Sequence, residues 1–216
     1  MKKIFLTLAA AACLVSMTTF AADMTLPPPN MNDKLSVMDA LNQRHSSRNL
    51  IDKNISPAQL SKILWAANGI NRPDGKRTVP AALGVYSVEV YAVTKEGIFL
   101  YDAANHNLKL IAEGDFRSVT STGHSSFASK AAVNLVYVET PDAWSNSKHR
   151  TPSRENQIAF ANILVGAMVQ NVALAAETEG LGNCVRGSIN RDEFKKVAKL
   201  SDDKNILLAQ SVGHTK

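Results

Sequence analysis

Residues 44–50 read RHSSRNL, so that Arg44 and Arg48 bracket His45, Ser46 and Ser47. Guanidinium groups present paired N–H donors that match phosphate oxygens, and serine hydroxyls add donors for the same anion. The stretch either grips an anion or forms a cationic last turn that complements a helix dipole. On a continuing helix the spacing of four would put both arginines on one face. The loop GINRPDGKRT carries Arg72, Lys76 and Arg77. The first two read as solvated surface charges. Arg77 leads straight into the apolar stretch PAALGVYSVEVY and is open to either role. A third place is GLGNCVRGS, residues 180–188, whose glycines would let backbone N–H groups approach a planar ligand. Gly180 also reads as a helix C-cap. The chain's end, SVGHTK, either brings Lys216 beside the first arginines or frays.

Other chemistries find little support. GLGNCVRGS is not a dinucleotide fingerprint, because no strand is expected before it and no acidic residue follows at the right distance. Cys184 reads as a small buried hydrophobe rather than a nucleophile. The histidines, at 45, 106, 124, 149 and 214, show no metal spacing, and no GxSxG elbow occurs. No pair of carboxylates stands out as an acid–base couple.

The elements that must position these residues follow from periodicity and punctuation. A lead-in over 23–35 contains Pro27-Pro28-Pro29 and cannot be helical. A short helix is expected over Ser36 to Arg44, with Val37, Met38 and Leu41 as its apolar stripe. Ser56-Pro57-Ala58-Gln59 is a capped start for a helix that stops near Gly69. Strands are expected at 87–94, 98–102, 107–112, 132–139 and 206–212. Residues 141–152 form a polar loop with Trp144 and His149. From Arg154 to about Glu179 runs a helix apolar nearly all round, which reads as central and buried. Residues 181–189 link it to a last helix capped by Asn190. The pattern is α+β.

The first residues, MKKIFLTLAAAACLVSMTTFAA, follow the order of a secretory signal: a basic start, a short apolar run and a small-residue cleavage region. The expected organisation is a signal peptide over 1–22 and a single domain over 23–216, periplasmic or secreted. The apolar run is too short to span a bilayer, no later stretch reads as a span, and no stable membrane insertion is expected. Removal of Lys2 and Lys3 lowers the formal charge from +5 to +3. The cations are scattered without an aromatic-basic stripe, so nucleic acid is not an expected partner. Cys13 leaves with the leader, and Cys184 alone forms no internal disulfide.

Together these places resemble the flavin-dependent nitroreductase family, including its azoline-oxidising dehydrogenase branch. RHSSR resembles the family's R-x-S-x-[RK]. RTVPAALGVYSVEVY resembles R-T-x-P-S-A-G-x-x-Y-P-x-E-x-Y. GLGNCVRGS resembles G-L-G-x-x-x-x-G-G, and LLAQSVGHTK resembles the terminal strand with its G-x-P-x. The resemblance implies an FMN-binding α+β fold with a long central helix, and a homodimer with two flavins at its interface. By that resemblance the cofactor contacts are Arg44, His45, Ser46, Arg48, Pro80, Ala81, Ala82, Arg186, Gly187, Ser188 and Lys216. Arg44 and Lys216 would hold the FMN phosphate, and Ser46 the phosphate or ribityl chain. Arg48 would lie near the pyrimidine edge, where a cation favours reduced flavin. Backbone N–H groups around Arg186, Gly187 and Ser188 would face N5. No side-chain acid or base is implied, since the protein mainly orients flavin and partner. The substrate would be a small molecule, with NAD(P)H as the family's usual donor. That donor is not expected outside the cytoplasm. The family's P-S-A serine is Ala81 here, and the proline after its tyrosine is Ser87. A flavin-binding module without turnover, or an exported interaction protein on the same scaffold, stand as alternatives.

Overall fold

The computed structural model describes residues 22–32, 35–123, 127–145 and 147–216; of the expected leader, only Ala22 falls within them. The elements are β1 (Met24–Thr25), α1 (Val37–Gln43), α2 (Pro57–Asn68), β2 (Val88–Val93), β3 (Gly97–Asp102), β4 (Asn107–Glu113), β5 (Val133–Glu139), α3 (Arg154–Thr178), β6 (Gly182–Arg186), α4 (Arg191–Val197) and β7 (Asn205–Gly213). The strands form one seven-stranded sheet in the order β1-β4-β3-β2-β5-β7-β6. Its strand pairs are antiparallel. The expected α+β class holds.

Local signals set the helix starts. Ser36 and Asp39 cap α1 reciprocally, and Ser56 and Gln59 do the same for α2, with Pro57 at its first turn. Each such cap is worth about 1 kcal/mol. Ser153 caps α3 by accepting from the Asn156 N–H, and Asn190 caps α4 by accepting from the Glu193 N–H.

β5 is buried along its whole length, as its β-branched, apolar run requires. Its alternate residues serve two cores. Val133, Leu135 and Tyr137 join Ile63, Leu64, Leu164 and Met168 of α2 and α3. Val136 and Val138 join Phe194, Ile189 and Ala198 around α4 on the opposite face. At the end of β5, the fully buried Glu139 is held by Arg154, with Nη2 donating to Oε2 at 2.7 Å and Nη1 to Oε1, and by Asn205 at 2.9 Å. This anchors the start of α3. Lys62 of α2 donates to Glu179 at 2.5 Å, just past the end of α3.

Three expectations change. The segment after α3 is not a mere link: residues 182–186 form the edge strand β6. The stripe of α1 does not face a core. Val37, Met38 and Leu41 are 69 %, 73 % and 44 % exposed, and the helix packs on α3 through the buried Ala40. A seven-residue helix has room for one buried face, and here the small residue takes it. Finally, α3 is buried on one side only. Leu164, Val165, Met168, Val172 and Ala176 are buried, whereas Ile163 is 69 % exposed. Its 25 residues are also long and apolar enough to cross a membrane, contrary to the sequence expectation that no later stretch qualifies. Here its buried face packs on α2 and the sheet.

Candidate functional site

The helix that precedes RHSSR stops at Gln43, so the two arginines do not share a helix face. Arg44 is the C-cap, with its N–H donating to the Ala40 carbonyl at 2.9 Å. Beyond it the chain runs extended beside the edge of the sheet. Ser46 bridges Asn183 of β6 in parallel, Ser47 N–H donates to the Asn183 carbonyl at 2.7 Å, and Leu50 bridges Thr215. Extended backbone has a period of two, which puts residues 44, 46 and 48 on one side. Ser47 and Leu50 turn inward and are buried, whereas His45, Ser46, Arg48 and Asn49 are exposed. His45 is exposed, with its ring 3.2 Å from Ser47 Oγ and 3.9 Å from Glu177.

The chain's end joins the same edge instead of fraying. Ile51 N–H donates to the His214 carbonyl at 2.9 Å, and Lys216 N–H to the Asn49 carbonyl at 3.3 Å. Gly182 permits this meeting. A Cβ there would collide with Thr215 Cγ2 and lie 2.8 Å from Ser47 Cβ and 3.2 Å from Leu50 Cδ2. No other residue type lets β6, the 46–50 segment and the tail pack this closely. The side chains of Arg44, Arg48 and Lys216 have no hydrogen bond or ion pair among the described residues.

Arg186 differs from its sequence-based expectation in kind. Its backbone sits at the end of β6, but its side chain is only 5 % exposed and is itself a structural hub. Nε donates to Ser211 Oγ at 3.1 Å, Nη1 to the Thr120 carbonyl at 2.5 Å and the Ser188 carbonyl at 3.3 Å, and Nη2 to Thr120 Oγ1 at 3.2 Å and Asn134 Oδ1 at 2.9 Å. Every acceptor is neutral. Burial pulls this guanidinium down to about 10, where it still carries its charge at neutral pH. The turn after it is held from two sides, because Arg191 Nη1 donates to the Gly187 carbonyl at 3.3 Å. The exposed Gly187 keeps its own N–H without an acceptor among the described residues. Thr120, Asn134, Arg191 and Ser211 were not legible as parts of this site. Their contacts join positions far apart in sequence, and no motif marks them.

On the opposite face of the sheet a buried polar chain reaches the same edge. Tyr137 OH donates to Gln210 Oε1 at 2.8 Å, and Gln210 Nε2 donates to Asn183 Oδ1 at 3.2 Å. Asn183 Nδ2 is left buried without a partner among the described residues. Cys184 is buried with its Sγ 3.6 Å from the Val185 carbonyl, as a small hydrophobe would be. Among the described residues no group of His, Cys, Asp and Glu could hold a metal ion.

Pro80, Ala81 and Ala82 are not bonded to this edge. They precede and begin a 3-10 turn, Ala82–Gly84, and no hydrogen bond or β-bridge among the described residues joins them to the 44–48 segment. One chain therefore brings the segments that carry Arg44, His45, Ser46, Arg48, Arg186, Gly187, Ser188 and Lys216 to one edge.

A model of the nitroreductase family matches residues 41–214. This chain belongs to the nitroreductase family. A Methanocaldococcus jannaschii protein assigned as a nitroreductase is 24 % identical over 188 residues, spanning 82 % of this chain and 90 % of its own. A crystal structure from Ralstonia eutropha JMP134, also assigned as a nitroreductase, is 31 % identical. It superposes with a TM-score of 0.80 over 91 % of this chain and 90 % of its own. A Desulfovibrio desulfuricans relative solved in complex with FMN shares the fold at 19 % identity, with a TM-score of 0.58 over 84 % and 87 % of the two chains. The chain is thus an oxidoreductase of a flavin-dependent family. Its donor set fits such a cofactor: unpaired cations for a phosphate, hydroxyls for a polyol, and a free Gly187 N–H for a ring nitrogen.

Proposed function

We propose that this chain binds FMN along the edge built by residues 44–48, 182–188 and 214–216. There it would reduce or oxidise a small organic molecule. The observation that carries the reading is the convergence of three sequence-distant segments at one sheet edge, where the side chains of Arg44, Arg48 and Lys216 have no protein partner among the described residues. Bound FMN would supply hydride transfer through N5. Arg44 and Lys216 hold its phosphate, and Ser46 donates a hydroxyl to the phosphate or the ribityl chain. Arg48 lies toward the pyrimidine edge, where its charge favours the reduced ring. The Gly187 N–H donates toward N5, and Arg186 and Arg191 hold its turn rigid. Arg186 is a positioning residue that also sets a buried positive charge behind that turn.

The active unit in this reading is a homodimer. Two observations support it. Val37, Met38, Leu41 and Ile163 leave apolar surface exposed on α1 and α3, and residues 80–82, which no hydrogen bond or β-bridge ties to the edge within one chain, would complete it on a second copy. The leader at 1–22 supports export to the periplasm or beyond. NAD(P)H, the family's usual donor, would then be scarce, so another reductant or a dehydrogenase role follows.

The test is reconstitution. The purified protein is loaded with FMN and its flavin reduced with dithionite. A nitroaromatic or quinone is then added anaerobically. Fast return of the oxidised flavin spectrum, well above that of free reduced FMN, is expected. Flavin that binds but does not reoxidise faster than free flavin would leave a binding module and refute the catalytic reading.

A further inference from the structure

Two loops singled out in the sequence, around Arg77 and around His149, meet at one place. They line an open cleft of about 430 Å3, to which Arg77, Leu83, Val85 and Tyr86 come from the first stretch and Ser147, Lys148 and His149 from the second. That volume lies within the usual range for a small-molecule site. No carboxylate lines it. The neighbouring loop cations do not share this character, since Arg72 and Lys76 are both paired with Asp74.

Arg77 is held with unusual care for a surface arginine. Its guanidinium carbon lies 4.6 Å from the centroid of the Tyr86 ring, and the Tyr86 hydroxyl accepts from the Arg77 backbone N–H at 3.0 Å. The guanidinium lies over the ring, yet none of its N–H donors has an acceptor among the described residues. Burial lowers its pKa, while Tyr86, Tyr101 and Asp102 favour its charged form. Asp102 does not pair with it; its oxygens accept from Asn105 Nδ2 at 2.7 Å and the Ala104 N–H at 2.9 Å. The Lys148 ammonium and the His149 ring likewise have no side-chain partner among the described residues. Leu83 stands at the cavity in a left-handed conformation, φ 55°, and is largely exposed. Such strain in a bulky residue is retained where the surroundings impose it, and it clusters at ligand sites.

We propose that this cavity binds a small, planar organic anion, with its carboxylate or phosphate on Arg77 and Lys148 and its apolar body against Leu83, Val85 and Tyr86. Substrate class for this chain is then an organic anion. That last step rests on the flavin oxidoreductase reading, whereas the binding itself does not.

The probe is 4-nitrobenzoate, compared with its uncharged isostere 4-nitrobenzamide. Binding to the purified protein is measured by calorimetry, with and without FMN. The charged probe should bind about tenfold more tightly than the neutral one, the worth of one charge-assisted hydrogen bond. Arg77→Gln and Lys148→Gln should each reduce that preference, and Arg77→Lys should keep part of it. A thermal melt checks folding. Should Arg77→Gln fail to fold, the exposed Lys148→Gln carries the test. Equal affinity for the two probes, or a preference that survives both substitutions, overturns the proposal. NADPH and NADH form a second arm. A preference for NADPH lost in Arg77→Gln, with none for 4-nitrobenzoate, would overturn the substrate assignment in favour of a nucleotide phosphate. Anion preference without FMN binding would sink the oxidoreductase reading alone. FMN binding without anion preference would sink only the cavity.

Discussion

Gly182→Ala is the substitution that most directly probes how the candidate site is assembled. The added Cβ would meet Thr215 Cγ2, Ser47 Cβ at 2.8 Å and Leu50 Cδ2 at 3.2 Å. Thr215 Cγ2 and Ser47 Cβ stand close to their backbones, and Leu50 is buried. Ser47 is pinned by its N–H to the Asn183 carbonyl at 2.7 Å, and Thr215 by its bridge to Leu50. The clash must therefore move backbone, and overpacking of this kind costs about 1–3 kcal/mol. Since both moving segments carry pinned backbone, the upper part of that range is expected, about 2–3 kcal/mol. For a chain of this length that lowers Tm by roughly 4–12 °C. The segments displaced are the ones that bear Arg44, Arg48 and Lys216, so FMN affinity should fall by more than stability alone explains. Calorimetry with and without excess FMN measures both. A melt within a degree of wild type, with FMN affinity unchanged, would refute the argument that Gly182 is what allows the three segments to meet.

Other predictions follow from the same structure. Gly166→Ala adds a Cβ with nothing within 4 Å in one chain, so an isolated protomer should gain about 0.5–1 kcal/mol; a loss of stability and of dimer in ultracentrifugation would place a partner helix against this site. Arg186→Met strips donors from Thr120, Asn134, Ser188 and Ser211 at once and should cost at least about 3 kcal/mol in urea unfolding, with Arg186→Lys rescuing little because it lacks the planar fork. Burial lowers the pKa of His106, whose ring lies 2.8 Å from Ser61 Oγ and 2.9 Å from Tyr101 OH. The unfolded chain therefore binds the proton more readily, and this contribution is fully present above pH 6.5 and lost as pH falls toward the folded pKa. His106→Gln should flatten the stability profile over that window, and an unchanged slope would rule the histidine out. Glu139→Ala leaves Arg154 and Asn205 without their shared acceptor at the start of α3 and should cost about 3–5 kcal/mol.

What was legible in the sequence was local. Ser56-Pro57-Ala58-Gln59 announced α2, and the long uninterrupted run after Ser153 announced α3, because caps and propensity act over a few residues. The motifs themselves pointed to the edge on which the 46–51 segment, β6 and the 214–216 tail meet. β6 was not legible: five residues with a glycine and an asparagine show no alternation, and only the pairing with β7 makes them a strand. The stripe of α1 misled because periodicity reports an apolar face without saying what covers it. Arg186 misled for a related reason. Its burial depends on acceptors from Thr120, Asn134 and Ser211, which only the folded sheet brings together. Arg77 and Lys148 likewise became neighbours of one cavity only in three dimensions.

The most direct measurement is the absorbance spectrum of the purified protein, taken as isolated and after titration with FMN, for wild type and for Arg44→Gln. The account predicts a flavin spectrum, released on denaturation and identified as FMN, with affinity weakened about tenfold or more in Arg44→Gln through the lost phosphate contact. A wild-type protein that carries no flavin and takes up none from excess FMN would contradict it.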